Sequence, residues 1–354
     1  MKSFIIFIFG LSLAYQAQSQ SVYYIQDTLF MKAIKKNCPL CIARDSFLTK
    51  SADTLKVLRL DNSDILNLDG FNFPNLRELY CNNNRVLYIP NALPNTLKVL
   101  SISRNRLKTL PTILPADLEV LDVSYNSLSQ LPENLPKGLR KLVCDYNKIA
   151  AFPVMFPADL KILSYNGNQV SRTFAKLPNG LEEMYCTDNQ ITEMSMKLPK
   201  SLIKLDCQNN RLKNLEVEFL VNLKHLNIGN NNFDNLPIDL QLSLEILECD
   251  SNQIKDFSGD LPKNLKKLYC MGNNLTKLPQ QMPNSLEHLY CGFNYIKSIT
   301  VLPTNLKYLN CESNNIKKIT NLTADLQYLD CSYNDLNELP DNLRSEERRV
   351  GKEC

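Results

Sequence analysis

The sequence predicts an α/β horseshoe solenoid, a rod of about 14 stacked coils of 20–21 residues with a parallel β-sheet on the concave face and an extended, polyproline-like convex face. Three observations predict it. An asparagine recurs every 21 residues from Asn84 through Asn105, Asn126 and on to Asn294, then at Asn314 and Asn334. A Leu-x-x-Leu-x-(Cys/Leu/Ile/Val) segment precedes each one, as in Leu265-Lys-Lys-Leu268-Tyr-Cys270. Prolines fill two further columns, one running from Pro94 to Pro303 and the other from Pro90 to Pro340.

Taken along the chain, the first element is a leader. Met1-Lys2, the apolar run Phe4 to Leu13 and the small, polar exit Ala17-Gln18-Ser19 read as a secretory signal peptide over 1–19. The run is too short to cross a bilayer, which takes about 20 apolar residues. Residues 20–54 read as an N-terminal cap, with a short helix that starts at Asp27, a good N-cap residue. Its Cys38-Pro39-Leu40-Cys41 reads as structural, a local disulfide in an exported chain, since no βαβ unit surrounds it to make a redox centre.

Residues 55–343 are the repeats. Alternation with period 2 in Leu-x-Cys makes a short strand with one buried face, and a lone strand of this kind cannot bury that face by itself. Stacked identical rungs can. Each asparagine follows its strand at the turn, where an amide both donates and accepts and so satisfies buried backbone groups. Proline fixes φ and lacks a donor, so helices on the return side are disfavoured. Residues 344–354 break the pattern with a charged run that looks like an in-frame translation of a short sequencing adapter, and they read as an artefact.

This pattern resembles the leucine-rich repeat family over about 55–343. The short rungs and Leu-Pro elements look like the bacterial secreted class, and cysteine in the third apolar column resembles internalin-type repeats with a cysteine ladder. Two positions depart from the template, Ser63 in the asparagine slot of the first rung and Tyr165 in the cysteine column, and local irregularity is expected there. Nine cysteines (Cys81, Cys144, Cys186, Cys207, Cys249, Cys270, Cys291, Cys311 and Cys331) share that inward column. Rungs about 4.7–4.9 Å apart hold parallel side-chain vectors too far apart for a disulfide, which wants Cβ atoms about 3.5–4.5 Å apart. They read as free thiols in a narrow core, and a linear ladder offers zinc no tetrahedral set.

Composition narrows function. In 354 residues, 40 Lys+Arg stand against 37 Asp+Glu, a balance that argues against a nucleic-acid binder. An apolar content of 44% supports a real core. Only 2 histidines occur, and His225 and His288 fall three rungs apart, so the sequence predicts no enzyme, no metal site and no cofactor. Asp122, Asp206 and Asp330 recur in one concave column but never in adjacent rungs, which leaves no carboxylate pair for acid–base work.

The concave side turns aromatic toward the C-terminal rungs, and Tyr269, His288, Tyr290, Phe293, Tyr308, Tyr328 and Tyr333 are the candidate ligand-binding residues. Tyrosine buries much area with few rotors to freeze, the property that enriches it at binding hot spots. The expected function is an exported or surface-displayed module that binds an unidentified protein through its concave face, in adhesion or in contact with a host or neighbouring cell. No membrane span is expected in the mature chain. Two alternatives come with the family resemblance: the repeat region of an effector enzyme whose ubiquitin-ligase-like domain lies downstream, and a surface stalk without a ligand.

Overall fold

A computed structural model of the chain describes residues 22–338 apart from 24–26, 44–45, 92, 173–175, 195–196, 218, 238–239, 258 and 321. The expected signal peptide and the adapter-like tail lie outside the described residues. The N-terminal part holds β1 (Val22–Tyr23), helix α1 (Thr28–Asn37), β2 (Ile42–Ala43), β3 (Ser46–Leu48) and the short α2 (Thr49–Ala52). Its three strands form an antiparallel sheet in the order β1-β3-β2. Cys38 and Cys41 are joined by a disulfide.

Asp27 does cap α1, and it does more. One carboxylate oxygen accepts from the amides of Leu29 and Phe30 at 2.9 and 3.1 Å, satisfying donors that the first helical turn leaves free. The other accepts from Leu66 and Asn67 at 2.7 and 3.2 Å, which ties the helix to the first rung. Phe30, Ala33 and Ile34 complete the join by burying into the same core as the repeats.

Fourteen parallel strands follow in one sheet, neighbours in sequence order and in unbroken register. They are β4 (Val57–Arg59), β5 (Glu78–Tyr80), β6 (Val99–Ser101), β7 (Val120–Asp122), β8 (Lys141–Val143), β9 (Ile162–Ser164) and β10 (Glu183–Tyr185). The remainder are β11 (Lys204–Asp206), β12 (His225–Asn227), β13 (Ile246–Glu248), β14 (Lys267–Tyr269), β15 (His288–Tyr290), β16 (Tyr308–Asn310) and β17 (Tyr328–Asp330). In each of β4–β16 the middle residue is buried and the first faces the concave side at least partly exposed. Among the described residues no helix separates consecutive strands of this sheet, so the return segments are extended and turned as their prolines require.

The asparagine ladder carries the turns. Asn210 donates its amide to the carbonyls of Cys186, Cys207 and Gln208 at 2.9–3.1 Å, and its side-chain oxygen accepts from the Ile191 amide at 2.9 Å. One side chain thus joins two rungs, and the same set recurs at Asn147, Asn231 and Asn294. To aim that amide inward the preceding residue turns left-handed, with φ between +48° and +63° from Asn83 to Tyr333. On the return side each Pro94-type carbonyl accepts from the leucine three residues on, as Pro262 does from Leu265 at 3.0 Å. Leu220 and Gln241 make the same turn without proline, so proline favours this turn but does not create it.

The nine ladder cysteines are buried thiols. Burial holds their thiols protonated, pushing Cys81, Cys186 and Cys291 up to about 12. Several donate to the carbonyl of the next rung, Cys207 to Asn227 at 3.3 Å and Cys249 to Tyr269 at 3.2 Å. The irregularity expected at Tyr165 is absent from the strand, because β9 pairs in register with both neighbours. The ring is accommodated inside instead, edge-on to Phe152 at 4.7 Å. Among the described residues its buried hydroxyl finds no well-formed hydrogen bond and has the Cys186 thiol as a polar neighbour.

Candidate functional site

Four columns of side chains run across the rungs on the open side of the sheet. Just before each strand stands an exposed, mostly charged residue; then come the first and third strand residues; then, past the cysteine, the residue at the strand's exit. Stacking in register repeats every column at about 4.8 Å, close to the contact distance of two aromatic rings.

This spacing assembles most of the expected patch. Tyr269 and Tyr290 are paired across β14 and β15, with centroids 4.7 Å apart and planes within 4°. His288 and Tyr308 are paired across β15 and β16 at 4.4 Å and 2°. Tyr328 continues that column 6.3 Å from Tyr308, and His288 lies 6.4 Å from Tyr290, so the two columns adjoin. Burial first and then Lys267 lower the pKa of His288, favouring the neutral ring that stacks. Burial raises Tyr269, helped by Tyr290, Glu248 and Asp250.

Phe293 and Tyr333 stand elsewhere. Both occupy the left-handed slot before the asparagine, with φ of +54° and +55°, at the margin where the strands end. They are strongly exposed, and Ser313 occupies the same slot on the rung between them. The patch proper is therefore Tyr269, His288, Tyr290, Tyr308 and Tyr328, with Phe293 and Tyr333 on its rim.

A second aromatic group escaped sequence reasoning. Tyr125 and Tyr146, in the same left-handed slot, stack at 4.5 Å, and the Arg104 guanidinium caps the pair 4.2 Å above the Tyr125 ring. The far face of Tyr146 lies so close to Gly167 that an added Cβ would stand 2.4 Å from the ring. A signal was available: Arg104, Tyr125 and Tyr146 each precede a ladder asparagine at the 21-residue spacing. Smaller pairs decorate the concave face, with Arg59 over Tyr80 at 4.1 Å and Lys204 over Tyr185 at 5.1 Å.

His225 reaches Glu248 on the next rung at 2.6 Å, an ion pair when the ring is protonated. Among the described residues no group of three His, Cys, Asp or Glu side chains is placed to hold a metal ion, and no helix is long and apolar enough to cross a membrane. On the return side a groove opens among Met194, Leu215, Val217, Phe233 and Leu236, away from the aromatic patch.

Models of leucine-rich repeats match residues 263–303, as two copies, and single repeats match 117–137 and 325–345. No curated protein matches the sequence. Among solved structures the chain is similar to YopM from Yersinia enterocolitica WA-314, with 28% identity over 82% of this chain and 76% of that one and a TM-score of 0.55. It is similar too to YopM from Yersinia pestis, a leucine-rich effector protein, with 26% identity, 80% and 88% coverage and a TM-score of 0.61. The functional domain of InlJ from Listeria monocytogenes, which includes a cysteine ladder, shares the fold at 20% identity, 89% and 71% coverage and a TM-score of 0.66. The matched repeat models and the shared fold make the chain a leucine-rich repeat solenoid that resembles the bacterial secreted short-repeat class and the internalin-type cysteine-ladder repeats.

Proposed function

We propose that the chain is an exported protein-binding module, acting at the cell surface or on a neighbouring cell, which grips its partner through the concave face of β14–β17. The observation that carries this reading is the aromatic patch. Of five rings from four consecutive strands, four are stacked in pairs and Tyr328 lies tilted beside them; all are only partly buried, so contact area is presented with most of its rotamers already ordered. The likeness to a Yersinia effector supports a role outside the producing cell. Extended concave faces are the usual binding surface of solenoids.

Site-directed photo-crosslinking tests the reading. A photoreactive phenylalanine analogue replaces Tyr290 in one version of the full chain and the exposed return-side Lys263 in another, and each is incubated with intact cells. A protein adduct formed from position 290 and absent from 263 is expected. Equal labelling from both positions, or labelling from 263 alone, would sink the concave-face assignment.

A further inference from the structure

The two margins of the sheet carry charge differently. Just before the strands, lysines and glutamates of successive rungs pair with one another: Lys98 with Glu119, Lys266 with Glu245, and Lys307 with Glu287, at 2.6–2.9 Å. At the other margin, from β7 to β17, neither the third strand position, nor the exit position, nor the left-handed slot holds a lysine or arginine. Acids stand there instead, and among the described residues none of Asp250, Glu312 and Asp330 has a cation within ion-pair distance. Their hydrogen bonds are local: Asp250 accepts from the Met271 amide at 2.6 Å, Asp330 from Ser332, and Glu312 from the Asn310 side chain at 3.2 Å.

These carboxylates flank the two ends of the aromatic patch. Burial raises the Tyr269 and Tyr328 phenols, and Glu248 and Asp250 beside the first and Asp330 and Glu312 beside the second raise them further. Burial and, to a smaller extent, the neighbouring Glu248 hold Asp250 itself up to about 6. A tyrosine ring attracts a cation through its face, and an ammonium or guanidinium settling among these groups would meet both the carboxylates and the rings. The acidic run from β13 to β17 spans roughly 19 Å at sheet spacing, the length of about six residues of extended chain.

We propose that the concave face at β13–β17 docks a lysine- or arginine-bearing extended segment of the partner protein, whose basic side chains lie between Tyr269, Tyr290 and the carboxylates of Asp250, Glu312 and Asp330. This rests on the binding role proposed above and names the chemistry of the partner. The opposite margin, where Lys224 and Lys266 share Glu245, Lys307 holds Glu287 and Lys267 adds a further cation, offers no matching charge and fixes the side on which the segment lies.

The test pans a random 12-residue peptide library against the immobilised full chain, an Asp250→Asn/Glu312→Gln/Asp330→Asn variant and a Tyr269→Ala/Tyr290→Ala variant. Each neutralised side chain keeps an acceptor oxygen, and Glu312→Gln alone serves as the mildest version; melting curves verify that every form is folded. Binders enriched in Lys and Arg, weakened at least 10-fold by neutralisation and at least 10-fold between 50 and 500 mM salt, are expected. Binders that need the tyrosines but show no basic enrichment and ignore neutralisation overturn this inference and leave the concave-face role standing. Binders indifferent to both variants, or none at all, overturn the two together.

Discussion

The margin where the strands begin and the margin where they end are built on the same backbone, yet they are finished in opposite ways. The first is closed by exposed Lys–Glu pairs that span neighbouring rungs, such as Lys161 with Glu182 at 2.9 Å. The second is closed from inside by the asparagine ladder, and from β7 to β17 the positions outside it hold no lysine or arginine, so that Asp250, Glu312 and Asp330 stand without an ion-pair partner among the described residues, beside aromatic rings. Surface charges that satisfy one another across rungs keep the repeats soluble and in register but leave nothing for a partner. Where the repeat's own satisfaction is moved indoors, the outer positions are released from structural work. That release is what leaves one margin open to the recognition role proposed above.

The ladder beneath the second margin should be the most sensitive point. Asn210→Ala deletes three donated hydrogen bonds and one accepted one in a buried turn, and should cost about 1–3 kcal/mol by denaturant melting. A loss within error would show that these turns hold without their side chains and that the two margins differ less than claimed. Gly167→Ala should follow, at about 1–2 kcal/mol, because φ is +61° and the new methyl group meets the Tyr146 ring. An unchanged melting temperature there would mean that the Arg104–Tyr125–Tyr146 stack is loose enough to move aside.

Legibility in the sequence followed the same division. Columns of one residue type were readable because both the backbone and the side chain constrain them: asparagine must bond two rungs, cysteine must fit a narrow core. The left-handed column was not readable, since only its φ is constrained and Asn230, Gly272, Ser313, Tyr125 and Arg104 all satisfy it. Sequence spacing therefore groups Phe293 and Tyr333 with strand aromatics from which their left-handed backbone sets them apart, and passes over the Tyr125–Tyr146 stack. Asp27 was recognisable as a helix cap from its neighbours, but its second bond, to residues 39 and 40 positions away, depends on packing that no local pattern encodes.

The unpaired acids predict a gain. In the folded chain Asp250 keeps its proton up to about 6, whereas an unfolded aspartate releases it near 3.8, so between those values the folded state binds more protons. Stability then falls as pH rises through that window, and the full penalty is present above it. Asp250→Asn keeps the acceptor for the Met271 amide and removes the charge, so it should stabilise the chain by about 1 kcal/mol at pH 7.5 and by progressively less toward pH 4. A gain independent of pH would assign the effect to something other than the uncompensated carboxylate.

The smallest effect is expected at the opposite margin, and its smallness is informative. Glu245 sits between Lys266 at 2.8 Å and Lys224 at 3.7 Å, and both hold its carboxyl below the usual range, the Lys266 hydrogen bond most of all. All three side chains are open to water, where Coulomb energy is screened and ordering a long side chain offsets much of what remains. Lys266→Ala should therefore leave the denaturation midpoint almost unmoved, with any remaining difference fading in 1 M salt. A loss comparable to that of Asn210→Ala would make this ladder a structural element in its own right. The paired margin would then be as necessary to the solenoid as the buried one, and the freedom of the acidic margin could no longer be explained by satisfaction moved inside.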